Sequence, residues 1–236
     1  MRLDKYVSNS TDYSRVQVKR LIKAGAIKVN NDDCSNTSKN ITADDLVTLN
    51  GELVGMPGPR YFILNKPQGY VCATRDGLNP TVLDLLDEPR LNELQVAGRL
   101  DIDTTGLVLI TDDGKWNHAI TSPKRHCQKI YHVTTRHEIS ADSEKKFAEG
   151  VWLDGEKTIT LPATLEITYS NECKLGLSEG RYHQVKRMFA AIGNHVENLH
   201  RESVGAISLG SNLKEGCYRA LTQSEVKSIS SLDDGS

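Results

Sequence analysis

Nine residues near the middle of the chain, Gly98-Arg99-Leu100-Asp101-Ile102-Asp103-Thr104-Thr105-Gly106, gather one cation, two carboxylates and two hydroxyls between bracketing glycines. A carboxylate so placed can act as a covalent nucleophile or move a proton. The same residue types also build plain turns, in which Asp side chains accept hydrogen bonds from backbone N–H groups. Leu94-Gln95-Val96-Ala97 precedes the stretch and Leu107-Val108-Leu109-Ile110 follows it. Each flank is short, bounded by turn residues, and reads as a strand. The nine residues are then a loop on a rigid support, where reactive side chains tend to collect. A second stretch worth noting is Arg181–Ile192, in which Val185, Met188, Phe189 and Ile192 recur at helical spacing before Gly193-Asn194. On that helix Lys186 falls about 60° from Phe189, at the edge of the apolar stripe. Its head can reach a cleft while its stem stays covered.

Composition removes several alternatives. The 236 residues carry a formal net charge of −2, so any nucleic-acid binding must come from local patches. Five cysteines lie far apart with no C-x-x-C, which argues against a disulfide framework or zinc site and for a reducing compartment. No signal-type leader and no membrane-length apolar run is present, and the expectation is a cytoplasmic protein. The fingerprints of nucleotide hydrolysis, dinucleotide redox chemistry, zinc proteolysis and α/β-hydrolase chemistry are all missing. No metal and no cofactor is expected. The histidines lack metal-ligand spacing and read as surface or RNA-facing.

Three segments must position the chemistry. Residues 1–50 carry a helix capped by Ser14 and closed at Gly25, then short strands at Ala26–Val29 and Leu46–Leu49. Its first thirty residues hold seven cations against Asp4 and Asp12, a run that by itself describes a solvated face as well as a binding face. Residues 51–59, dense in Gly and Pro, read as a linker. Residues 60–236 form the larger domain, many strands with scattered helices and no βαβ alternation, so the fold class is α+β. Within it Tyr61–Leu64 and Tyr70–Ala73 read as strands, Ser140 as the cap of a helix, and residues 230–236 as a frayed tail.

Residues 1–50 resemble the S4 RNA-binding domain through Arg2-Leu3-Asp4-Lys5, Ser14-Arg15, Leu21-Ile22-Lys23-Ala24-Gly25 and Ile27-Lys28-Val29-Asn30. The resemblance implies a cationic face, including Arg2, Lys5, Arg15, Lys19 and Lys23, that meets the phosphate backbone of folded RNA. The rest of the chain resembles pseudouridine synthases, closely the RsuA-type enzymes that modify small-subunit ribosomal RNA. The matching words are Gly58–Phe62, Leu64–Cys72, Ala97–Leu107 and Glu179–Phe189, in the family's order. The implied fold is a mixed, mainly antiparallel sheet with flanking helices.

The resemblance implies that Asp101 is the essential carboxylate, which attacks the target uridine on either the sugar or the base ring. The base then detaches and rejoins through carbon instead of nitrogen. Asp103 reads as turn support. Tyr131, in Lys129-Ile130-Tyr131, corresponds to the tyrosine that stacks on the flipped base. Lys186 falls where the wider superfamily pairs an arginine with the aspartate; lysine lacks the bidentate fork, so the pairing should be less rigid. Arg99 is expected to help evict the nucleotide or to contact a phosphate. Arg181, His183, Gln184 and Arg187 are expected on the RNA side. The implied partner is 16S ribosomal RNA or a small-subunit assembly intermediate, met by a monomer. A binder without catalysis, an S4-type assembly factor, is the rival reading; it has no need of Asp101, Tyr131 and Lys186 together.

Overall fold

A computed structural model describes residues 1–55 and 58–230; of the expected frayed tail, residue 230 ends a helix and residues 231–236 lie outside the described residues. The chain divides into two compact units, residues 1–59 and 60–236. In the first, helix α1 (Leu3–Ser10) and helix α2 (Arg15–Lys23) pack on a four-stranded sheet of β1 (Ile27–Val29), β2 (Asp32–Asp33), β3 (Val47–Leu49) and β4 (Glu52–Leu53), ordered β2-β1-β3-β4. Ser14 and Gln17 form a reciprocal capping box at the start of α2. Asn30 and Asn31 both take positive φ at the β1–β2 turn, which asparagine tolerates. Leu3, Val7, Val18, Ile22, Ile27 and Val47 form the core.

Two expectations change here. Helix α1 has no counterpart in the sequence reading, because its apolar face is only Leu3, Tyr6 and Val7 and its buried Asp4 looks like a surface residue. The segment 51–59 is only partly a linker. Its β4 pairs with β3, and Val54 is buried and accepts the Tyr6 hydroxyl at 2.9 Å.

The second unit is built on a nine-stranded sheet. Its strands are β5 (Tyr61–Lys66), β6 (Gln95–Ala97), β7 (Thr105–Thr111), β8 (Lys129–Thr135), β9 (Thr164–Tyr169), β10 (Glu172–Leu177), β11 (Val196–Val204), β12 (Ile207–Ser208) and β13 (Tyr218–Ala220). The main path runs β13-β5-β7-β11-β8-β10-β9, with β6 on β7 and β12 on β11. Among the described strands only β7 and β11 pair in parallel. Helices α3 (Gly114–Thr121), α4 (Asp142–Glu149), α5 (Gln184–Ala191) and α6 (Gln223–Ser230) flank the sheet. The class is α+β with a mixed, mainly antiparallel sheet, as expected.

Strand alternation feeds two cores. Phe62, Leu64, Val108 and Ile110 join Phe147 of α4 and Val185, Met188 and Phe189 of α5. Ile63, Leu107 and Leu109 join Trp116 and Ile120 of α3 and Ile229 of α6. Three local readings are corrected. Tyr70–Ala73 is not a strand, since Val71 makes only one bridge, to Thr81; the Pro67–Gly69 turn has already led the chain off the ladder. Helix α5 begins at Gln184, not Arg181, because the Gln184 side chain caps the Arg181 N–H and His183 sits in the left-handed region at φ 48°. Helix α4 begins at Asp142; Ser140 contributes its carbonyl to the Ser143 N–H and not a side-chain cap.

Candidate active site

The glycine-bracketed loop connects β6 to β7 at the centre of the larger sheet, and two buried cations fix it. Lys66 Nζ donates to the carbonyls of Pro67 (3.0 Å), Ile102 (3.2 Å) and Thr104 (2.7 Å). Arg201 of β11 donates from Nε to Leu107 O and from Nη2 to Gly98 O, both at 2.7 Å. Burial pushes the Lys66 ammonium below its ordinary range, against the pull of Cys72, Asp103 and Asp101. The Gly69 N–H donates to Ile102 O at 2.9 Å, so the Asn65–Tyr70 turn buttresses the loop. Gly106 has φ 103°, and a β-carbon there would strike the Arg201 backbone. Only glycine lets β7 and β11 close at the point where the loop ends.

Asp101 opens onto a cavity of about 730 Å³ that Arg99, Asp103, Tyr131, Arg181, His183, Gln184 and Lys186 also line. That volume is within the usual range for small-molecule sites. The Asp101 side chain is 28% exposed, with Oδ1 3.3 Å from His183 Nε2 and Oδ2 3.6 Å from Lys186 Nζ. Lys186 binds Asp103 more closely, at 2.7 Å to each carboxylate oxygen. Burial raises the Asp103 carboxyl, but the Lys186 bond and charge outweigh it and leave the group below its ordinary range. Asp103 therefore does more than support the turn: it holds the lysine beside Asp101. Tyr131, on β8, is 8% exposed and lies in the same cavity wall.

The motif that begins α5 splits into two roles. His183, in the left-handed turn before α5, and Lys186, in its first turn, both reach Asp101. The Tyr182 ring, largely exposed, stacks on His183 at 3.8 Å. Arg181, Gln184 and Arg187 also make bonds within the protein. Arg181 binds Glu179 at 3.1 Å and the carbonyls of Thr158 and Ile159. Gln184 is buried and donates to Glu179 at 2.7 Å. Arg187 meets Glu156 at 3.0 Å and the Asp154 carbonyl at 2.6 Å. For Arg181 and Arg187 further partners come from residues 154–159, which fold back with an acid and carbonyls that spacing does not reveal. Arg99, by contrast, is exposed at the cavity.

In the first unit Asp4 is fully buried and collects cations. Arg2 reaches its two oxygens at 3.2 and 3.1 Å, Arg15 at 3.0 Å, and Lys19 stands at 4.0 Å. Arg2 and Arg15 are thus partly spent on the fold, which trims the expected RNA-binding set. Lys5 and Lys23 are exposed. Among the described residues there is no group of three or more His, Cys, Asp or Glu side chains fit to hold a metal ion. No described helix is long and apolar enough to cross a membrane.

Residues 60–191 match the family model described as RNA pseudouridylate synthase, and residues 1–47 match the S4 domain. The chain belongs to the RNA pseudouridylate synthase family. A relative from Salmonella typhimurium named ribosomal small subunit pseudouridine synthase A is 51% identical over 97% of this chain and 100% of its own. The Escherichia coli K12 protein of the same name is 50% identical with the same coverage. A solved structure described as a pseudouridylate synthase is 46% identical, with TM-score 0.71, covering 97% of this chain and 99% of its own. The loop and most of the cavity lining lie within residues 60–191; Leu199 and Arg201 lie beyond them.

Proposed function

We propose that this synthase converts a uridine of small-subunit ribosomal RNA to pseudouridine, with Asp101 as the essential carboxylate. The observation that carries the reading is that Asp101, Tyr131 and Lys186, far apart in sequence, line one cavity. The small-subunit substrate is taken from the names of relatives that are half identical over the whole length. A stacked uridine is out of reach until it is flipped, at a cost of a few kcal/mol. Arg99, exposed at the cavity, suits the vacated stack or a neighbouring phosphate. Tyr131 offers its ring to the extruded base, and Asp101 presents a carboxylate oxygen to it. The isomerisation breaks the N1–C1′ bond and forms C5–C1′ within one nucleotide, with no net oxidation. Lys186, tethered by Asp103, supplies positive charge beside the attacking group, and His183 flanks the other oxygen.

The S4 unit docks the RNA through Lys5, Lys19 and Lys23, with the exposed edges of Arg2 and Arg15 adding to the field. The enzyme works as a cytoplasmic monomer, without metal or cofactor. The test is Asp101→Asn, which keeps the shape and removes the charge. The variant is expected to bind rRNA as the parent does and to form no pseudouridine by mass-spectrometric nucleoside analysis. Normal turnover would refute the assignment; absence of product from the unaltered chain would favour a non-catalytic binder.

A further inference from the structure

Two buried cations line the cavity and have no part in the reaction as described so far. Lys129 stands two residues before Tyr131 on β8, on the same side by strand alternation. Arg201 is the register partner of Tyr131 on β11. Lys129 is 8% exposed and Arg201 1%, yet both border the cavity that holds Asp101. Gly98 brings their heads together: a β-carbon there would lie 3.7 Å from Arg201 Nη1 and 4.0 Å from Lys129 Cε. Their partners in the protein are carbonyls, Cys127 O at 2.8 Å for Lys129 and those of Leu107 and Gly98 for Arg201. Among the described residues no carboxylate pairs with either. Buried like charges without a counter-ion are costly to hold. Burial pushes the Lys129 ammonium below its ordinary range against the upward pull of Cys127, and Arg201 adds a smaller push down. The missing counter-charge is one that the substrate can bring.

We propose that Lys129 and Arg201 are catalytic residues that hold the negative charge gathering on the uracil ring during the isomerisation. The inference rests on the synthase reading above. If Asp101 attacks C1′, the N1–C1′ electron pair leaves with the base and spreads over N1, O2 and O4. If it attacks C6, the C5–C6 pair moves to C5 and O4. On both routes the ring is the anion, and cations at the cavity wall stabilise it. On the first route C5 then displaces Asp101 from C1′; on the second N1–C1′ breaks, C5 bonds to C1′ and Asp101 leaves C6. In each case C5 releases its proton to solvent and the Asp101 carboxylate is restored. A backbone phosphate is the other anion available, but it stays tethered to the RNA at the surface. Cations this deeply buried are reached by the extruded base, while exposed Arg99 is left for the phosphates.

The experiment is Lys129→Met in the full chain. Single-turnover cleavage is followed on one rRNA fragment carrying uridine or 5-fluorouridine at the position the parent enzyme modifies. Fluorine lets the departing ring carry charge with less help. Lys129→Met is expected to slow the uridine substrate about 100-fold, the scale of a lost charge-stabilising donor, and the fluorinated one only about tenfold. RNA affinity and melting temperature should hold, and Lys129→Arg should recover most of the rate. Equal slowing on both substrates would overturn the proposal in favour of a purely structural lysine. Weaker RNA binding with an unchanged rate at saturation would overturn it in favour of a phosphate contact. Should Lys129→Met melt early, Lys129→Gln is read by the same ratio. A parent enzyme that makes no pseudouridine would instead refute the synthase reading itself.

Discussion

Asp4 and Asp101 are carboxylates met by cations, one in each unit, and the protein treats them in opposite ways. Asp4 has no exposed surface, and two arginines bind its oxygens at 3.0–3.2 Å. Asp101 keeps 28% of its side chain open, and its neighbours stand off at 3.3 and 3.6 Å. The lysine that could have closed on Asp101 is held by Asp103 at 2.7 Å. A carboxylate whose lone pairs are filled ties elements together. One that is flanked by charge but left under-bonded can still take a substrate atom as partner.

The sharpest break of this contrast is Asp101→Asn itself. Beyond the loss of product, its unfolding free energy is expected to stay within about 0.5 kcal/mol of the parent, as for substitutions outside a bonded network. Loss of both fold and activity would make Asp101 another Asp4. The next largest effect falls on the tether. Lys186→Met should lower the single-turnover rate about 100-fold, the scale of a lost electrostatic group. Asp103→Asn should lower it about tenfold. If Asp103 acts by holding Lys186, adding Asp103→Asn to Lys186→Met changes little, a non-additivity that a double-mutant cycle reads directly. Additive losses would give Asp103 a role of its own.

What the sequence reveals of these two places differs for a physical reason. The Asp101 loop announces itself locally: glycines bracket it, apolar runs flank it, and the strands and cavity form where that pattern points. The helix face carrying Lys186 is equally local, whereas His183 reaches Asp101 from a left-handed turn that helical spacing does not describe. Asp4 is different. Its burial depends on Arg15, eleven residues on, folding over it, and charge in a short amphipathic helix reads as surface. Lys66 and Arg201 are invisible for a related reason, since they are buried on carbonyls of the distant Asp101 loop and its flanks; Lys129 bonds a carbonyl only two residues back, but nothing local shows that it is buried. Arg187 reads as an RNA contact because nothing near it in sequence competes, whereas Glu156 does so in space; for Arg181 the competitor, Glu179, stands two residues away.

The structural half of the comparison has its own prediction. Burial pushes the Asp4 carboxyl up, but the bonds and charges of Arg2 and Arg15 more than offset this and leave it below its ordinary value of 3.8. A depressed carboxylate stabilises the fold above its unfolded pKa and loses that contribution as pH falls through the folded value. Asp4→Asn should therefore cost about 2 kcal/mol at pH 7, the worth of a charge-assisted hydrogen-bond set. The gap to the parent should close as pH drops below 3.8. Urea unfolding of the full chain over a pH series measures it; a gap that ignores pH would mean the charge is not what Asp4 contributes.

The smallest effect separates cations committed to the fold from cations left for RNA. Lys23 is exposed on the last turn of α2, while Arg15, on the same helix, is bonded to Asp4. Lys23→Ala should weaken rRNA binding about threefold and reduce the slope of log affinity against log salt by about 0.7, one phosphate contact's share. Its melting temperature should not move. Arg15→Ala should lower the melting temperature and change the salt slope less, because its charge is already answered inside the protein. Equal slopes for the two would mean that Asp4 does not draw Arg15 away from RNA. The buried carboxylate would then organise the binding face without diminishing it.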